Sequence, residues 1–243
     1  MVVRVNYLAE VSYDGSKFYG FQRLNEDSSV QKYLEDALTK INKKEVKVKG
    51  AGRTDRGVHA MGQYISFRLD VPITTWGLKE ALNSILEPYI YVKQILVNEK
   101  ELSVRYDVLS KKYRYKINLG EYNPIMADYV FQCRYKLDIS KMKEVANLYL
   151  GVHDFHNFVS GYREDYTCVI YNVIFEENGS ELDIIFEGKS FYRYMVRNLV
   201  GAMIEVARGK IDISYVENML NSPEKMTTFT APACGLYLES VKY

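Results

Sequence analysis

One short stretch gathers most of the chemistry-bearing residue types in this sequence: Gly50-Ala51-Gly52-Arg53-Thr54-Asp55-Arg56-Gly57-Val58-His59-Ala60. Its glycines let a backbone turn sharply and approach a ligand closely. Its carboxylate, Asp55, stands near Arg53 and beside Arg56, cationic neighbours that favour the ionised form a nucleophile needs. Plausible strands flank the stretch, and loops on a rigid scaffold are where catalytic groups concentrate. The glycine spacing is not that of a dinucleotide fingerprint, and no Gly-Lys-Ser/Thr ending makes it a phosphate loop. By pattern alone the favoured reading is a tight turn in which Asp55 bonds its own backbone.

Arg193 and Arg197 stand four apart on a stretch whose Val196, Leu199, Val200, Met203, Ile204 and Ala207 recur at helical spacing. Arg197 falls on the flank of that apolar face, where a charge that cannot be shed calls for an anion. Covering apolar neighbours with its stem is an equally good account. His153-Asp154-Phe155-His156 suggests a metal pair, but no third ligand stands nearby, which argues against a metal site. Serine and cysteine nucleophile systems have no local signature here.

These candidates sit in 243 residues, 47% hydrophobic and 26% charged, which suits one large or two modest globular domains. The start turns polar too soon for a signal peptide, and no apolar run approaches a membrane span. Cys133, Cys168 and Cys234 are scattered and odd in number, as expected of a reducing cytoplasm. Net charge is only +1, so charge as a whole gives no argument for nucleic acid. Its distribution says more: Lys40 to Arg56 holds seven basic residues against two acids, and Arg105 to Lys116 five against one. From Arg163 to Glu187 the sign reverses, with seven acids against one arginine. Such asymmetry can build a basic face for phosphates, although lysines alternating on the solvent side of strands account for each segment alone. Several of the 22 tyrosines interleave with cations, as in Lys112-Tyr113-Arg114-Tyr115-Lys116 and Tyr192-Arg193-Tyr194. That suits RNA, whose bases stack on rings, and it equally suits any half-buried strand.

Periodicity supplies the elements that must hold these groups. Val3 to Tyr13 reads as a strand, and Ser28 with Gln31 as a capping box opening a helix to about Ile41. Strands follow at Glu45–Lys49 and Gln63–Leu69, then a helix from Thr75 to Leu86 and a strand from Tyr89 to Val97. This β-α-β-β-α-β order is ferredoxin-like. Beyond Val104 come a strand from Lys111 to Leu119, a helix from Ser140 to Leu150 and two strands joined by Asn178-Gly179. The longest helix is expected from Ser190 to about Arg208, followed by a short helix from Tyr215 to Leu220 and a closing strand from Gly235 to Tyr243. The sum is an α+β protein in two halves, residues 1–102 and 103–243.

The same residues resemble the tRNA pseudouridine synthase A family. Its signature loop is similar to Gly52-Arg53-Thr54-Asp55-Arg56-Gly57-Val58-His59-Ala60. The likeness continues in Tyr13-Asp14-Gly15, Phe18, Gly20-Phe21-Gln22, Val30-Gln31, Leu34-Glu35, Leu82-Asn83, Lys112-Tyr113-Arg114-Tyr115 and His153-Asp154-Phe155. It runs on through Phe191-Tyr192-Arg193-Tyr194-Met195-Val196-Arg197-Asn198-Leu199-Val200-Gly201, Ala231-Pro232-Ala233 and Gly235-Leu236-Tyr237-Leu238. These matches keep the family's order over nearly the whole chain, which reverses the turn-only reading of Asp55. Departures are Arg56 for a small residue or lysine, Phe21 for tryptophan, Leu102-Ser103-Val104 for Phe-His-Ala, and Cys168 for arginine. None removes a catalytic group.

The resemblance implies a pseudouridine synthase fold, two ferredoxin-like halves joined in a continuous, mostly antiparallel sheet around a central cleft. It implies Asp55 as catalytic aspartate, Arg197 as its paired arginine, Tyr113 as the ring stacking on uracil, and Arg53 as the arginine that displaces the target base. Arg56, His59, Lys111, Arg114 and Arg193 complete the expected RNA-contacting set. A homodimer acting on tRNA, at positions 38, 39 or 40 of the anticodon stem-loop, without metal or organic cofactor, is the expected whole.

Overall fold

Period-two alternation builds the first strand, β1 (Val5–Tyr13), whose Tyr7, Ala9, Val11 and Tyr13 are buried. It belongs to a computed structural model that describes residues 5–24 and 28–243. The expected start of this strand at Val3 lies outside the described residues. Next come α1 (Val30–Asn42), β2 (Lys49–Gly50), β3 (His59–Leu69), α2 (Thr75–Leu86) and β4 (Ile90–Val97). β1 pairs antiparallel with β3 and with β4, and β2 adds antiparallel to β3. This is the ferredoxin-like arrangement the element order suggests. Leu34 and Leu38 of α1, Leu78 and Leu82 of α2, and Ile65 and Leu69 of β3 are wholly buried and form its core.

Two local expectations change here. Ser29, not Ser28, caps α1, its hydroxyl accepting the Lys32 N–H at 3.3 Å. The Ser28–Gln31 box does not form because Gln31 is engaged elsewhere: its Oε1 accepts the Arg23 N–H, and its Nε2 donates to the Val48 carbonyl, both at 2.9 Å. The strand expected over Glu45–Lys49 shrinks to Lys49–Gly50. Side chains of α1 take the amides a ladder would use: Thr39 Oγ1 accepts from Val46 N–H at 3.0 Å, and Glu35 Oε1 from Val48 N–H at 3.1 Å.

The chain continues through β5 (Ser110–Asn118), β6 (Phe131–Gln132), α3 (Ile139–Leu148), β7 (Gly151–Asp154), β8 (Thr167–Asn178) and β9 (Glu181–Gly188). Then follow α4 (Met195–Ala207), α5 (Ile213–Asn221) and β10 (Leu236–Lys242). β5, β9, β8 and β7 lie side by side and antiparallel, with β6 parallel to β5. The expected hairpin turn at Asn178-Gly179 is present, with Gly179 at φ 61°. Met142 and Val145 of α3, Leu199 and Met203 of α4, and Val216 and Met219 of α5 are buried. The short strands β6 and β7 carry no periodicity long enough to be foreseen.

α4 departs most from expectation: it begins at Met195, five residues after Ser190, and at 13 residues it only equals α1. Tyr194 stands at φ 64°, in the left-handed region, which ends the helix there. Residues 191–194 have other attachments. The Tyr192 hydroxyl donates to Thr167 O at 2.8 Å, and Arg193 O accepts the Ser160 N–H at 3.0 Å.

Two compact units result, one running to Leu109 and including Leu238–Tyr243, the other Ser110–Tyr237. The first thus extends past the division expected after residue 102 and takes back the end of the chain. Lys242 O accepts the Leu109 N–H at 2.8 Å, and the Tyr243 hydroxyl donates to Val104 O at 2.7 Å. No helix among the described residues is long and apolar enough to cross a membrane.

Candidate active site

In the first unit the loop between β2 and β3 is held by its backbone and by buried polar groups. Ala51 N–H donates to Tyr64 O at 2.8 Å, and Thr54 O accepts the Phe21 N–H at 3.1 Å. The Thr54 hydroxyl meets the Tyr13 hydroxyl at 2.8 Å inside the protein. Burial pushes the Tyr13 phenol up to about 12, with the neighbouring Thr54 and Gln63 side chains opposing. Gln63 is wholly buried and donates to Gly52 O at 2.9 Å. Its Oε1 has no hydrogen-bond partner among the described residues. The β1–β3 register shifts between Val11 and Tyr13, beside this pair.

Gly15 permits the closest approach in this unit. A Cβ there would stand 2.0 Å from Val58 O, so only glycine lets the turn after β1 lie against the loop. The Gly15 N–H donates to His59 Nδ1 at 3.1 Å. With Nδ1 accepting, the ring proton is assigned to Nε2 and the imidazole is neutral. The 3.4 Å approach of Asp14 Oδ1 to Nδ1 is then no ion pair. His59, at 2% exposure, braces the loop from within and does not reach the surface expected of an RNA contact.

Between these anchors the Asp55 carbonyl accepts the Val58 N–H at 3.1 Å, closing the turn that pattern reading anticipated. The Asp55 side chain is half-buried, while Arg53 and Arg56 are exposed. The Arg56 guanidinium lies 4.2 Å from the centre of the Tyr19 ring.

In the second unit β5 sorts its residues by parity. Lys111, Tyr113, Tyr115 and Ile117 are buried along one face, and Lys112, Arg114 and Lys116 are half-buried on the other. The Tyr113 ring meets Phe191 edge-on, centres 5.2 Å apart at 73°. Arg114 stands opposite Tyr113's face with its guanidinium 2.6 Å from Glu176 and 2.7 Å from Asp183. Lys112 reaches Glu187 at 3.6 Å and Lys116 reaches Asp183 at 3.8 Å. The basic stripe read from Lys112 to Lys116 therefore faces an acidic one on β8 and β9, which offsets its pull on phosphate.

Arg197, on the first turn of α4, is held by a chain segment crossing that helix. Its Nε donates to Ala231 O at 2.7 Å, and Arg197 O accepts the Ala231 N–H at 3.1 Å. The next carbonyl, Pro232 O, accepts from the Tyr115 hydroxyl at 2.8 Å. Gly201 permits the crossing, since a Cβ there would stand 1.5 Å from Phe229 O. Burial raises the Tyr115 phenol well above its usual range, with Cys234 adding and Arg197 opposing. Arg197 and Tyr115 thus share an environment on the side of β5 that carries Tyr113. Arg193 is exposed, its guanidinium 5.1 Å from the Tyr194 ring centre.

The histidine pair is divided by function of the backbone. His153 bonds Leu150 O at 2.8 Å, and His156 Nδ1 lies 3.1 Å from Asp154.

Comparison with known proteins gives these placements a context. A family model described as tRNA pseudouridine synthase matches residues 9–107 and 145–243. The chain belongs to the tRNA pseudouridine synthase family.

A protein of Pseudothermotoga lettingae called tRNA pseudouridine synthase A is 38% identical over 242 residues, covering 98% of this chain and 99% of its own. One of Finegoldia magna with the same name is 36% identical over 242 residues, with the same coverage of 98% and 99%. Another, of Thermodesulfovibrio yellowstonii, is 35% identical over 254 residues, covering 98% of this chain and all of its own length. The chain is accordingly an isomerase that acts on tRNA.

Family membership spans both units. Asp55, Arg53, Arg56 and His59 belong to the first, and Tyr113, Lys111, Arg114, Arg193 and Arg197 to the second. Sequence reading missed the supports behind them: the Tyr13–Thr54 pair, Gln63 beneath Gly52, and the Ala231-Pro232 carbonyls. One signal was available. Gln63 occupies the core-facing parity of a strand whose Ile65, Phe67 and Leu69 are apolar, and a polar residue there must bond something.

Proposed function

We propose that the protein converts uridine to pseudouridine in the anticodon stem-loop of tRNA, at positions 38, 39 or 40, as a homodimer, with Asp55 as its nucleophile. The observation that carries the assignment of Asp55 is the bracing of its loop. Thr54 is tied to β1 and His59 to the turn after it, while Asp55 between them keeps a half-buried side chain. A reactive group needs such a fixed backbone, because misplacement by about 1 Å can cost about a hundredfold in rate.

The reaction breaks the N1–C1′ bond, turns the uracil, forms the C5–C1′ bond and transfers the C5 proton. Composition is unchanged, so the chemistry needs no redox or group-transfer partner. The Asp55 carboxylate attacks either C1′ or the base, and in both routes it must be ionised. Arg197 supplies the opposing charge, and its orientation is restrained by the Ala231 carbonyl. The Tyr113 ring, backed by Phe191, holds the uracil while it turns, since stacking tolerates rotation about the ring normal. Extruding the uridine costs a few kcal/mol, which insertion of Arg53 and contacts by Arg56, Lys111 and Arg193 offset. His59 acts through the loop, and Arg114 through its ion pairs on the far face of β5.

The test is to incubate wild type and Asp55→Asn with an unmodified tRNA transcript and map pseudouridine at nucleotide resolution. Product at positions 38–40 with wild type and none with the variant is the expected result. Product elsewhere in the tRNA discards the site assignment, and product from Asp55→Asn discards the nucleophile.

A further inference from the structure

Several cations of the second unit are matched by acids: Lys112 with Glu187, Arg114 with Glu176 and Asp183, Lys143 with Glu177. Four are not. Among the described residues, Arg134, Lys136, Arg208 and Lys210 have no carboxylate within 4.0 Å. They come from two segments that fold against one another, the chain after β6 and the turn after α4. The Arg208 guanidinium lies 3.4 Å from the centre of the Tyr135 ring, and the Asp138 N–H donates to Ala207 O at 3.2 Å. Arg134 lies 5.0 Å from the centre of the Tyr122 ring. Tyr122 and Tyr135 are 48% and 46% exposed, so this is a surface of cations and rings, not a core feature. Of the carboxylates near them in sequence, Asp138 is engaged as the cap of α3, where Ser140 and the Lys141 N–H hold it, Glu205 accepts the Phe229 N–H, and Asp212 opens α5 without coming within 4.0 Å of Lys210.

Cations at a helix C-terminus favour the helix dipole, and that accounts for Arg208 and Lys210. It does not account for Arg134 and Lys136, which lie on no helix. Nor does it account for the parking of two guanidiniums on tyrosine rings. A stacked guanidinium keeps its N–H edge outward and has little side-chain freedom left to lose on binding an anion. We propose that Arg134, Lys136, Arg208 and Lys210, with Tyr122 and Tyr135, form a docking patch for the phosphate backbone of tRNA, separate from the catalytic residues. Arg208, at the C-cap of α4, stands eleven residues beyond Arg197, roughly 16 Å along the helix at 1.5 Å per residue. The patch therefore grips backbone away from the nucleotide undergoing reaction. It rests on tRNA being the substrate, which family membership supplies, and not on the identity of the modified position.

The test measures tRNA binding to the full chain across a range of salt. Lys136→Gln/Lys210→Gln removes two charges whose side chains make no hydrogen bond or ion pair among the described residues. It should make the log–log salt slope shallower by roughly 0.7–0.9 for each phosphate no longer neutralised, and weaken binding at low salt by about tenfold. Adding Arg134→Gln and Arg208→Gln should deepen both effects. Lys32→Gln/Lys143→Gln, which removes the same charge elsewhere, should keep the wild-type slope. An unchanged slope in the quadruple variant, or an equal change in the control pair, would overturn the proposal. Pseudouridine mapped with wild type on the same transcript reads the catalytic assignment independently of the slope.

Discussion

A single hydroxyl illustrates how the reactive loop is held. Thr54 Oγ1 is the partner of the buried Tyr13 phenol, and leaving such a group unsatisfied costs about 1–3 kcal/mol. Thr54→Val should lower thermal stability by that order and lower kcat with it, whereas Thr54→Ser should restore both. Melting curves paired with single-turnover rates check this, and a Val variant with wild-type turnover would separate the pair from catalysis. Arg197→Ala belongs to the same scale. Loss should appear in kcat with tRNA affinity retained, because the guanidinium is held by the Ala231 carbonyl and its proposed part is to oppose the charge of Asp55. Equal losses in binding and turnover would refute the role proposed for it. Tyr113→Phe keeps the ring and its Phe191 contact while deleting the phenol. Full turnover would leave that hydroxyl no part in moving the C5 proton.

Elements show why some of this was readable and some was not. The apolar stripes of α1 and α2, the alternation of β1 and β3, and the Asn178-Gly179 turn are local, so the sequence discloses them directly. The start of α4 is not local: Tyr194 adopts a left-handed conformation while Arg193 and Tyr192 bond Ser160 and Thr167. Arg114 looks like a phosphate ligand in sequence because its partners, Glu176 and Asp183, are 62 and 69 residues away. The motif loop was legible as a family mark, but the groups bracing it were not, since spacing does not say which buried polar atoms meet. The crossing of α4 by residues 229–231 offers a direct test. Gly201→Ala would drive a methyl into Phe229 O, and such overpacking typically costs about 1–3 kcal/mol. Because the displaced segment carries the Ala231 and Pro232 carbonyls, turnover should fall further than the melting temperature alone would suggest. A variant that is destabilised but turns over normally when folded would show that the segment does not orient Arg197.

At the scale of the molecule, tyrosine chemistry sets an alkaline limit. Tyr7, Tyr13, Tyr64, Tyr115, Tyr149, Tyr192 and Tyr243 all have raised pKa values, chiefly through burial. Above about pH 10 the unfolded chain releases phenolic protons that the folded chain retains, so stability must fall as pH rises. For Tyr13, raised from 10.0 to about 12, the loss is on the order of 2–3 kcal/mol across that interval. Tyrosinate absorbance should therefore climb in step with loss of tertiary structure. Titration of these rings in the intact fold would contradict the assigned burial. The chain's return to its first unit has another effect, on the order of events at the ribosome. Leu238–Tyr243 complete the unit that otherwise ends at Leu109, with Tyr243 bonded to Val104 and Lys242 to Leu109. At about 5–20 residues per second, the nascent first unit waits on the order of ten seconds for its last strand. Throughout that interval the edge of β3 that pairs with β10 is open, and an unpaired strand edge invites mispairing.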